Sequence, residues 1–348
     1  MLDQPKAVRP GEELDAAKIV SFLEAKLGTR ESLEIKQFPS GFSNLTYSLH
    51  YGDRELVLRR PPFGANIKSG HDMEREFRVL SLLEPVFGKV PQPIAYTADL
   101  EIIGAPFYIM ERVNGVILRG QPPQGLATGP ETMRRLSGML VDTLVEIHAI
   151  DVEKTGLLQM GKPGGYVQRQ VEGWTKRYQA AQTDEVPHME HVAAWLAANR
   201  PPERYTGFIH NDFKYDNAVF NESLTGITAI LDWEMATIGD PLMDLGTSLG
   251  YWIEANDPPV MRTFNLTHLP GNLTRQEVVR RYAEKSGRDV DNALFYFVFG
   301  SYKIGVIIQQ IYARYRQGLT QDPRFAMLGE ALQACAQMAA TAIEKNRI

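Results

Sequence analysis

The sequence predicts an α+β protein with a small antiparallel-sheet lobe at its N-terminus and a larger helical lobe after it. Up to about residue 110, short apolar or alternating segments separated by turns are typical of strands. After Asn114-Gly115, apolar residues recur at every third or fourth position over long stretches, as they do in amphipathic helices. A chain of 348 residues is long enough for two lobes. We therefore expect an N-terminal lobe at 1–110, a hinge at 111–115 and a helical lobe at 116–348.

The first lobe is predicted to combine strands with two helices. Apolar residues that share one face predict the helices at 12–28 and 71–83. Turns rich in glycine, proline, serine and asparagine separate the first strands. The strands are predicted at 33–38, 46–49 and 55–59, with a closing hairpin at 102–103 and 106–110.

The second lobe is predicted to be mostly helical, with a polar loop and a hairpin in its middle. The loop covers 210–217, and the hairpin pairs 218–220 with 226–233. The helices are predicted at 131–150, 166–182, 188–199, 242–254, 275–286, 290–317 and 324–345.

Composition narrows the class of protein. A net charge of −5 disfavours a nucleic-acid binder, which is usually basic. Cys335 is the only cysteine, so no intrachain disulfide forms, as is usual in a reducing cytoplasm. The first ten residues lack the apolar core of a signal peptide, and the apolar stretch 293–312 contains Lys303, which favours a buried helix over a membrane span. We expect a cytoplasmic protein that binds neither nucleic acid nor a membrane. The sequence does not indicate an oligomeric state.

The predicted polar loop contains an ordered set of carboxylate and amide side chains. It reads H-N-D-F-K-Y-D-N at 210–217, and the next predicted strand ends in I-L-D at Asp232. Phosphoryl transfer from ATP needs a carboxylate that faces the acceptor hydroxyl, and an amide oxygen and a second carboxylate that hold Mg²⁺. Asp212 is our candidate base, and Asn217 and Asp232 are candidate metal ligands. The alternative is a coincidental match of two polar turns, which the order, spacing and apolar flanks disfavour.

Three further polar residues belong to this region. Lys214 follows Asp212 by two positions and could contact the transferred phosphate, or it could be an exposed lysine. His210 is predicted to brace the loop by hydrogen bonding rather than to titrate. Asp244, among apolar residues, is predicted to hydrogen-bond the loop.

A cation and a carboxylate in the first lobe are placed to grip phosphates. Arg59 ends a predicted strand, and Glu76 lies on the following helix. Kinases hold the α- and β-phosphates with a strand lysine that a helix glutamate steadies, and arginine can replace that charge but not its geometry. Glu74 is the alternative partner, and an ordinary surface ion pair is the alternative role.

The remaining nucleotide contacts are expected from backbone groups. Ser43 and Asn44 lie in a glycine-containing turn whose N–H groups could cradle phosphates. Met110, Glu111 and Val113 leave the last strand of the lobe, where backbone groups could bind adenine.

These motifs resemble the aminoglycoside phosphotransferase and choline kinase superfamily, which has a protein-kinase-like bilobal fold. The similar blocks are the loop at 210–217, I-L-D-W-E-M-A-T-I-G-D-P-L-M-D-L-G at 230–246 and L-V-E-I-H-A-I-D at 144–151. The resemblance implies an ATP- and Mg²⁺-dependent kinase of a small-molecule hydroxyl. Asn211 departs from the family, which usually has glycine there.

A narrower resemblance is to the kinase domains associated with acyl-CoA dehydrogenases. Its motifs are G-F-S-N-L-T-Y at 41–47, V-L-R-R-P-P at 57–62, H-D-M-E-R-E-F-R-V-L at 71–80 and Y-V-Q-R-Q-V at 166–171. In that branch arginine at the usual lysine position is normal. The branch implies phosphorylation of a hydroxyl on an acyl chain, such as a 4-hydroxyacyl-CoA.

Two functions stay open at this point. The first is an active small-molecule kinase, and the second is a nucleotide-binding regulatory protein on a degraded kinase fold, which Arg59 in place of lysine would fit. The acceptor is also open. Arg169, Lys176 and Arg177 share a predicted helix and would suit an anionic acceptor, or they form a solvated helix face.

Overall fold

The computed structural model describes residues 4–39, 44–63, 71–122, 125–126, 128–318 and 323–348. These residues belong to two compact units. The first unit comprises Met1–Ile117 and Ala218–Met235, and the second comprises Leu118–Asn217 and Ala236–Ile348.

Every strand pair within the described residues is antiparallel. The strands are β1 (Leu33–Gln37), β2 (Leu45–Tyr51), β3 (Arg54–Arg60), β4 (Pro93–Thr97), β5 (Phe107–Glu111), β6 (Val116–Ile117), β7 (Gly207–Ile209), β8 (Ala218–Phe220), β9 (Ile227–Ile230) and β10 (Thr237–Gly239).

Helices make up most of the second unit, and three lie in the first. The helices are α1 (Ala16–Leu27), α2 (Met73–Phe87), α3 (Leu100–Ile103), α4 (Pro130–His148), α5 (Tyr166–Ala181), α6 (Pro187–Ala198), α7 (Pro241–Tyr251), α8 (Arg275–Ser286), α9 (Ala293–Arg316) and α10 (Leu328–Lys345).

The first unit is built on a five-stranded sheet with the order β1-β2-β3-β5-β4. Side chains alternate between the faces of a strand. Leu56 and Leu58 of β3 therefore join the apolar core that also contains Ile19 and Leu23 of α1. Arg59 lies on the opposite face, where α2 packs on β4 and β5. This alternation is what turns Arg59 toward α2.

The segment 218–235 belongs to the first unit, whereas the sequence analysis assigned it to the helical lobe. Strand β8 pairs with β6, with Val116 opposite Phe220. The Ile230 N–H also donates to the Lys89 carbonyl at 2.8 Å. These backbone bonds connect the segment to β6 and to Lys89, which both belong to the first unit, and β6, β8 and β9 form a three-stranded sheet of their own.

The hairpin partner of β5 is β4, so the predicted strand at 102–103 is wrong. The residues Leu100–Ile103 form α3 instead. The Asp99 side chain accepts from the Glu101 N–H at 2.9 Å, and Gly104 ends the helix with a φ of 74°. Because these caps stabilise a helical turn, they override the strand preference of two isoleucines.

In the second unit, α7 and α9 cross with their backbones in contact. A Cβ atom on Gly300 would lie 1.9 Å from the Gly246 carbonyl oxygen. A Cβ atom on Gly246 would lie 2.2 Å from the Tyr296 carbonyl oxygen. Only glycine allows so close an approach, and the crossing fixes α7 against α9.

Helix α9 contains the apolar stretch noted in the sequence. By length and composition alone it could cross a membrane, but 78% of its most apolar window is buried inside the protein. The core helix of a soluble protein has the same features, so α9 is weak evidence for a membrane span.

Candidate functional site

Arg59 lies at the centre of a cluster of carboxylates in the first unit. Its Nη1 contacts Glu76 Oε1 on α2, and its Nη2 lies 3.1 Å from Asp232 Oδ1. The Nη2 atom is also 3.7 Å from Glu234 Oε2. Glu74, the alternative partner, is exposed. The predicted contact of Arg59 with Glu76 is therefore present, and the role of this pair toward a nucleotide stays a prediction.

The Arg59–Glu76 pair is almost fully buried, with residue exposures of 8% and 1%. Burial raises the pKa of Glu76, and the Arg59 guanidinium opposes that rise. The planar guanidinium places separate N–H groups on Glu76 and Asp232, which a lysine ammonium cannot do with the same geometry. The arginine at this position thus connects the helix carboxylate to the carboxylate after β9.

Asp232 and Glu234 follow β9 in a short turn. Asp232 has a φ of 66°, a left-handed conformation that aspartate tolerates better than most residues. Its side chain is 33% exposed, and that of Glu234 is 17% exposed. Glu234 was not among the predicted site residues. The available signal was a second carboxylate two positions after Asp232.

Asn44 joins this cluster through its side chain. Its Nδ2 donates to Glu234 Oε2 at 2.8 Å, and its Oδ1 lies 2.8 Å from His71 Nδ1. The side chain is therefore engaged within the first unit. Ser43, the other residue predicted for the phosphate-binding turn, lies outside the described residues.

The predicted adenine-binding strip begins on β5, which contains Met110 and Glu111. The Glu111 N–H donates to the Gln92 carbonyl at 2.8 Å, and the Glu111 side chain contacts Arg54. Among the residues that the structure describes, the Val113 N–H has no hydrogen-bond partner. The role of this strip toward adenine stays a prediction.

In the second unit, Asp244 holds the polar loop that follows β7. Its carboxylate accepts the His210 N–H at 2.7 Å and the Asn211 N–H at 2.8 Å. His148 Nε2 lies 3.1 Å from the same carboxylate. Burial alone would raise the pKa of Asp244, but His148 and the N–H donors hold it below its usual value. The expected hydrogen bonds from Asp244 to the loop are present.

Asn211 has a φ of 68°, in the left-handed region that most residues with a side chain avoid. Asparagine is among the few residues with a side chain that adopt this left-handed conformation readily. Its amide group also contacts the Tyr166 hydroxyl at 3.0–3.1 Å. The Asn211 side chain therefore connects the loop to α5.

The Asp212 carboxylate is held by three side-chain donors. Tyr251 donates to Oδ1 at 2.7 Å, while Lys214 Nζ and Asn217 Nδ2 donate to Oδ2 at 2.6 and 2.9 Å. Burial would raise the pKa of Asp212, but Lys214 and then Tyr251 hold it below its usual value. The carboxylate is therefore ionised and fixed in orientation at neutral pH.

The side chains of Lys214 and Asn217 both form hydrogen bonds to Asp212. The Lys214 side chain is only 22% exposed and is paired with Asp212, so it is not a solvated lysine. Contact with a phosphate remains a prediction. Asn217 uses its Nδ2 on Asp212, and within the described part of the chain its Oδ1 has no hydrogen-bond partner. The role of Asn217 as a metal ligand stays a prediction.

Comparison with known proteins identifies the family. Residues 34–277 match the model of the APH phosphotransferase enzyme family. The chain belongs to this family. It is 34% identical over 341 residues to acyl-CoA dehydrogenase family member 10 of Mus musculus, an alignment that covers 96% of this chain and 32% of that protein. The chain therefore spans about a third of the length of this curated relative.

Two solved structures support the fold. One is a Ralstonia eutropha JMP134 protein that is provisionally named an aminoglycoside phosphotransferase, with a TM-score of 0.82, 28% identity and coverage of 96% of this chain and 99% of that one. The other is choline kinase from Cryptosporidium parvum, with a TM-score of 0.67, 11% identity and coverage of 95% and 97%. The predicted kinase-like α+β fold is confirmed, and the family to which the chain belongs is one of phosphotransferase enzymes.

Lys303 of α9 supports the polar loop and was not among the predicted site residues. Its Nζ donates to the Asn211 carbonyl at 2.7 Å, directly before Asp212, and the residue is 2% exposed. Burial lowers the pKa of Lys303 to about 8. A single lysine within an apolar helical stretch was the only available signal.

We expect the pH dependence of stability to report this buried lysine. A lysine in the unfolded chain has a pKa of about 10.4, so between pH ~8 and ~10.4 the unfolded chain binds more protons than the folded chain. The free energy of unfolding should therefore rise with pH in that window, by about 3 kcal/mol from this group.

The measurement is urea unfolding of the wild type and of Lys303→Met at pH 7, 8, 9 and 10. The free energy of unfolding of the wild type minus that of the variant should increase as pH rises. Taking this difference removes the contribution of the other titrating groups, which both proteins share. Parallel pH curves for the two proteins would contradict this expectation.

Proposed function

We propose that this protein is an ATP- and Mg²⁺-dependent kinase that transfers the γ-phosphate to a hydroxyl group of a small molecule. The observation that carries the proposal is the Asp212 carboxylate, which is ionised, oriented by three donors and adjacent to the free Asn217 oxygen. A protein that only binds a nucleotide has no need of a carboxylate prepared in this way.

The residues of the second unit have distinct roles in this proposal. Asp212 orients the acceptor hydroxyl and accepts its proton. Lys214, which is paired with Asp212 in the structure, would use its ammonium group to stabilise the negative charge that develops on the transferred phosphate. Asn217 offers Oδ1 to the metal ion.

The carboxylates of the first unit fit the proposed metal. Mg²⁺ prefers oxygen ligands and usually takes one or two carboxylates together with phosphate oxygens and water. Asp232, which is partly exposed, would supply one such ligand, and Glu234 lies close to it. Within the described residues no group of three His, Cys, Asp or Glu side chains could hold a metal alone, in keeping with a site that needs the nucleotide. When bound, Mg²⁺ neutralises the phosphate charge.

The nucleotide would be held by Arg59 and by the strip after β5. Arg59, steadied by Glu76, supplies a guanidinium to the α- and β-phosphates. The Val113 N–H, which has no partner among the residues that the structure describes, and the backbone at Met110 and Glu111 would bind adenine.

For the acceptor, we propose a hydroxyl on an acyl chain, as in a hydroxyacyl-CoA. The similarity to acyl-CoA dehydrogenase family member 10 supports this class. Lys176 and Arg177 of α5 are exposed and could meet CoA phosphates. Arg169 of the same helix donates to the Gly164 and Lys162 carbonyls and so supports its own loop. The net charge of −5 also favours a small-molecule partner over nucleic acid.

The test is an ATP-consumption screen with product analysis by mass spectrometry. Hydroxyacyl-CoAs, aminoglycosides, choline-like amines and sugars are each offered with ATP and Mg²⁺, with chelated samples as controls. We expect a phosphorylated hydroxyacyl-CoA and an equal amount of ADP. Phosphorylation of another class alone would overturn the proposed acceptor but not the kinase.

A regulatory nucleotide-binding protein is the second candidate, because Arg59 engages Asp232, the proposed metal ligand. In that case ATP would be hydrolysed slowly or not at all, and every acceptor in the screen would remain unmodified. The ordered Asp212 environment favours the kinase.

A further inference from the structure

Helix α7 contacts the polar loop at two points. Asp244, in its first turn, accepts the backbone N–H groups of His210 and Asn211. Tyr251, its last residue, donates to the side chain of Asp212. The two helix residues are seven positions apart, which is close to two full turns, so they lie on one face of α7. One helix therefore sets both the backbone of the loop and the carboxylate that it presents.

Tyr251 contacts two of the polar side chains that the proposed reaction uses, Asp212 and Lys214. Its hydroxyl lies 2.7 Å from Asp212 Oδ1, and Lys214 Nζ lies 4.6 Å from the centroid of its ring. Burial raises the pKa of Tyr251, so the phenol keeps its proton and remains a donor. The Asn265 side chain also donates to the Tyr251 carbonyl and supports the end of the helix.

We propose that Tyr251 is a positioning residue for phosphoryl transfer. By holding Oδ1 while Lys214 and Asn217 hold Oδ2, the tyrosine prevents rotation of the Asp212 carboxylate about its Cβ–Cγ bond. Its ring gives the Lys214 ammonium a second attractive surface while that cation shifts from Asp212 to the phosphate. The proposal rests on the proposed function.

The test compares Tyr251→Phe with Tyr251→Leu. Phenylalanine keeps the ring beneath Lys214 and removes only the hydroxyl. We expect kcat to fall about ten- to hundredfold, as for the loss of a hydrogen bond to a charged group. The KM for ATP should stay unchanged, because Asp212 acts on the acceptor. Leucine removes the ring as well and should lower kcat further.

A matched control separates this role from general stability. Tyr51→Phe also removes one buried hydroxyl, which donates to the Thr29 carbonyl at 2.6 Å in the first unit. It should lower the melting temperature and leave kcat unchanged. If Tyr251→Phe behaves like Tyr51→Phe, the inference is wrong.

A second comparison separates the ring contact from any effect of Tyr251→Leu on folding, which would be the same with or without Lys214. In a Lys214→Met background, the further change from Tyr251→Phe to Tyr251→Leu should have no effect on kcat, since the partner of the ring is gone. An equal loss in both backgrounds would overturn the ring contact. Failure of the proposed function gives a different pattern, since wild-type protein would then transfer no phosphate to any acceptor.

Discussion

Replacing Asp212 with asparagine should abolish phosphoryl transfer and leave nucleotide affinity intact. Asparagine keeps the shape and one oxygen for Tyr251, but it removes the negative charge that orients the acceptor hydroxyl and takes its proton. Positioned bases contribute about 10²–10⁴ in rate, so kcat should fall by that factor. The measurements are ADP release with the best acceptor and ATP binding by calorimetry.

The control for this variant is Asp184→Asn. Asp184 is exposed and pairs with Arg316 at 3.2 Å on the surface of the second unit. Its replacement should change neither kcat nor ATP affinity. An Asp212→Asn protein with wild-type kcat would remove Asp212 from the mechanism, and with it the central argument for a kinase.

The second large effect is expected at Arg59. Arg59→Met leaves the Glu76 carboxylate buried with no cation, and breaking a buried pair in this way costs about 3–5 kcal/mol. The variant should also bind ATP more weakly, because the phosphates lose a guanidinium. Urea unfolding and ATP titration measure the two effects separately.

Two further variants show whether both effects arise from the same contact. Adding Glu76→Leu to Arg59→Met removes the stranded charge, so stability should recover while ATP affinity does not. Arg54→Met breaks the more exposed pair with Glu111, in which the arginine is 42% exposed, and should cost only about 0–1 kcal/mol. Equal stability losses for Arg54→Met and Arg59→Met would contradict the buried-pair argument.

Sequence patterns predicted most elements of this fold because hydrophobic periodicity is a local signal. The helices of the second unit and the first three strands illustrate this, since their apolar faces are visible within ten or twenty residues. The predictions of secondary structure failed where an interaction other than hydrophobic periodicity determines the local conformation. At 102–103, an aspartate cap and a left-handed glycine outweighed the strand preference of the two isoleucines. Strands β7 and β10 have three residues each, which is too short for an alternating hydrophobic pattern to be recognised in the sequence.

The residues of the candidate site could be predicted only in part, because some of them depend on contacts between distant parts of the sequence. Asp212, Asn217 and Asp232 stand at recognisable spacings, but Glu234, Tyr251 and Lys303 act through contacts over long sequence separations. Lys303, for example, contacts Asn211, which is 92 positions earlier in the chain. Whether a polar residue is buried against such a partner depends on packing, and no local pattern records it.

Helices α7 and α9 cross at Gly246 and Gly300, and this crossing affects how inactive relatives should be recognised. Any side chain at Gly246 or Gly300 would push the two helices apart, and α7 would carry Asp244 and Tyr251 away from the loop together. A chain could then keep every polar residue of the reaction and still lack activity. A survey that separates working enzymes from decayed copies should therefore score these two small residues alongside the carboxylates.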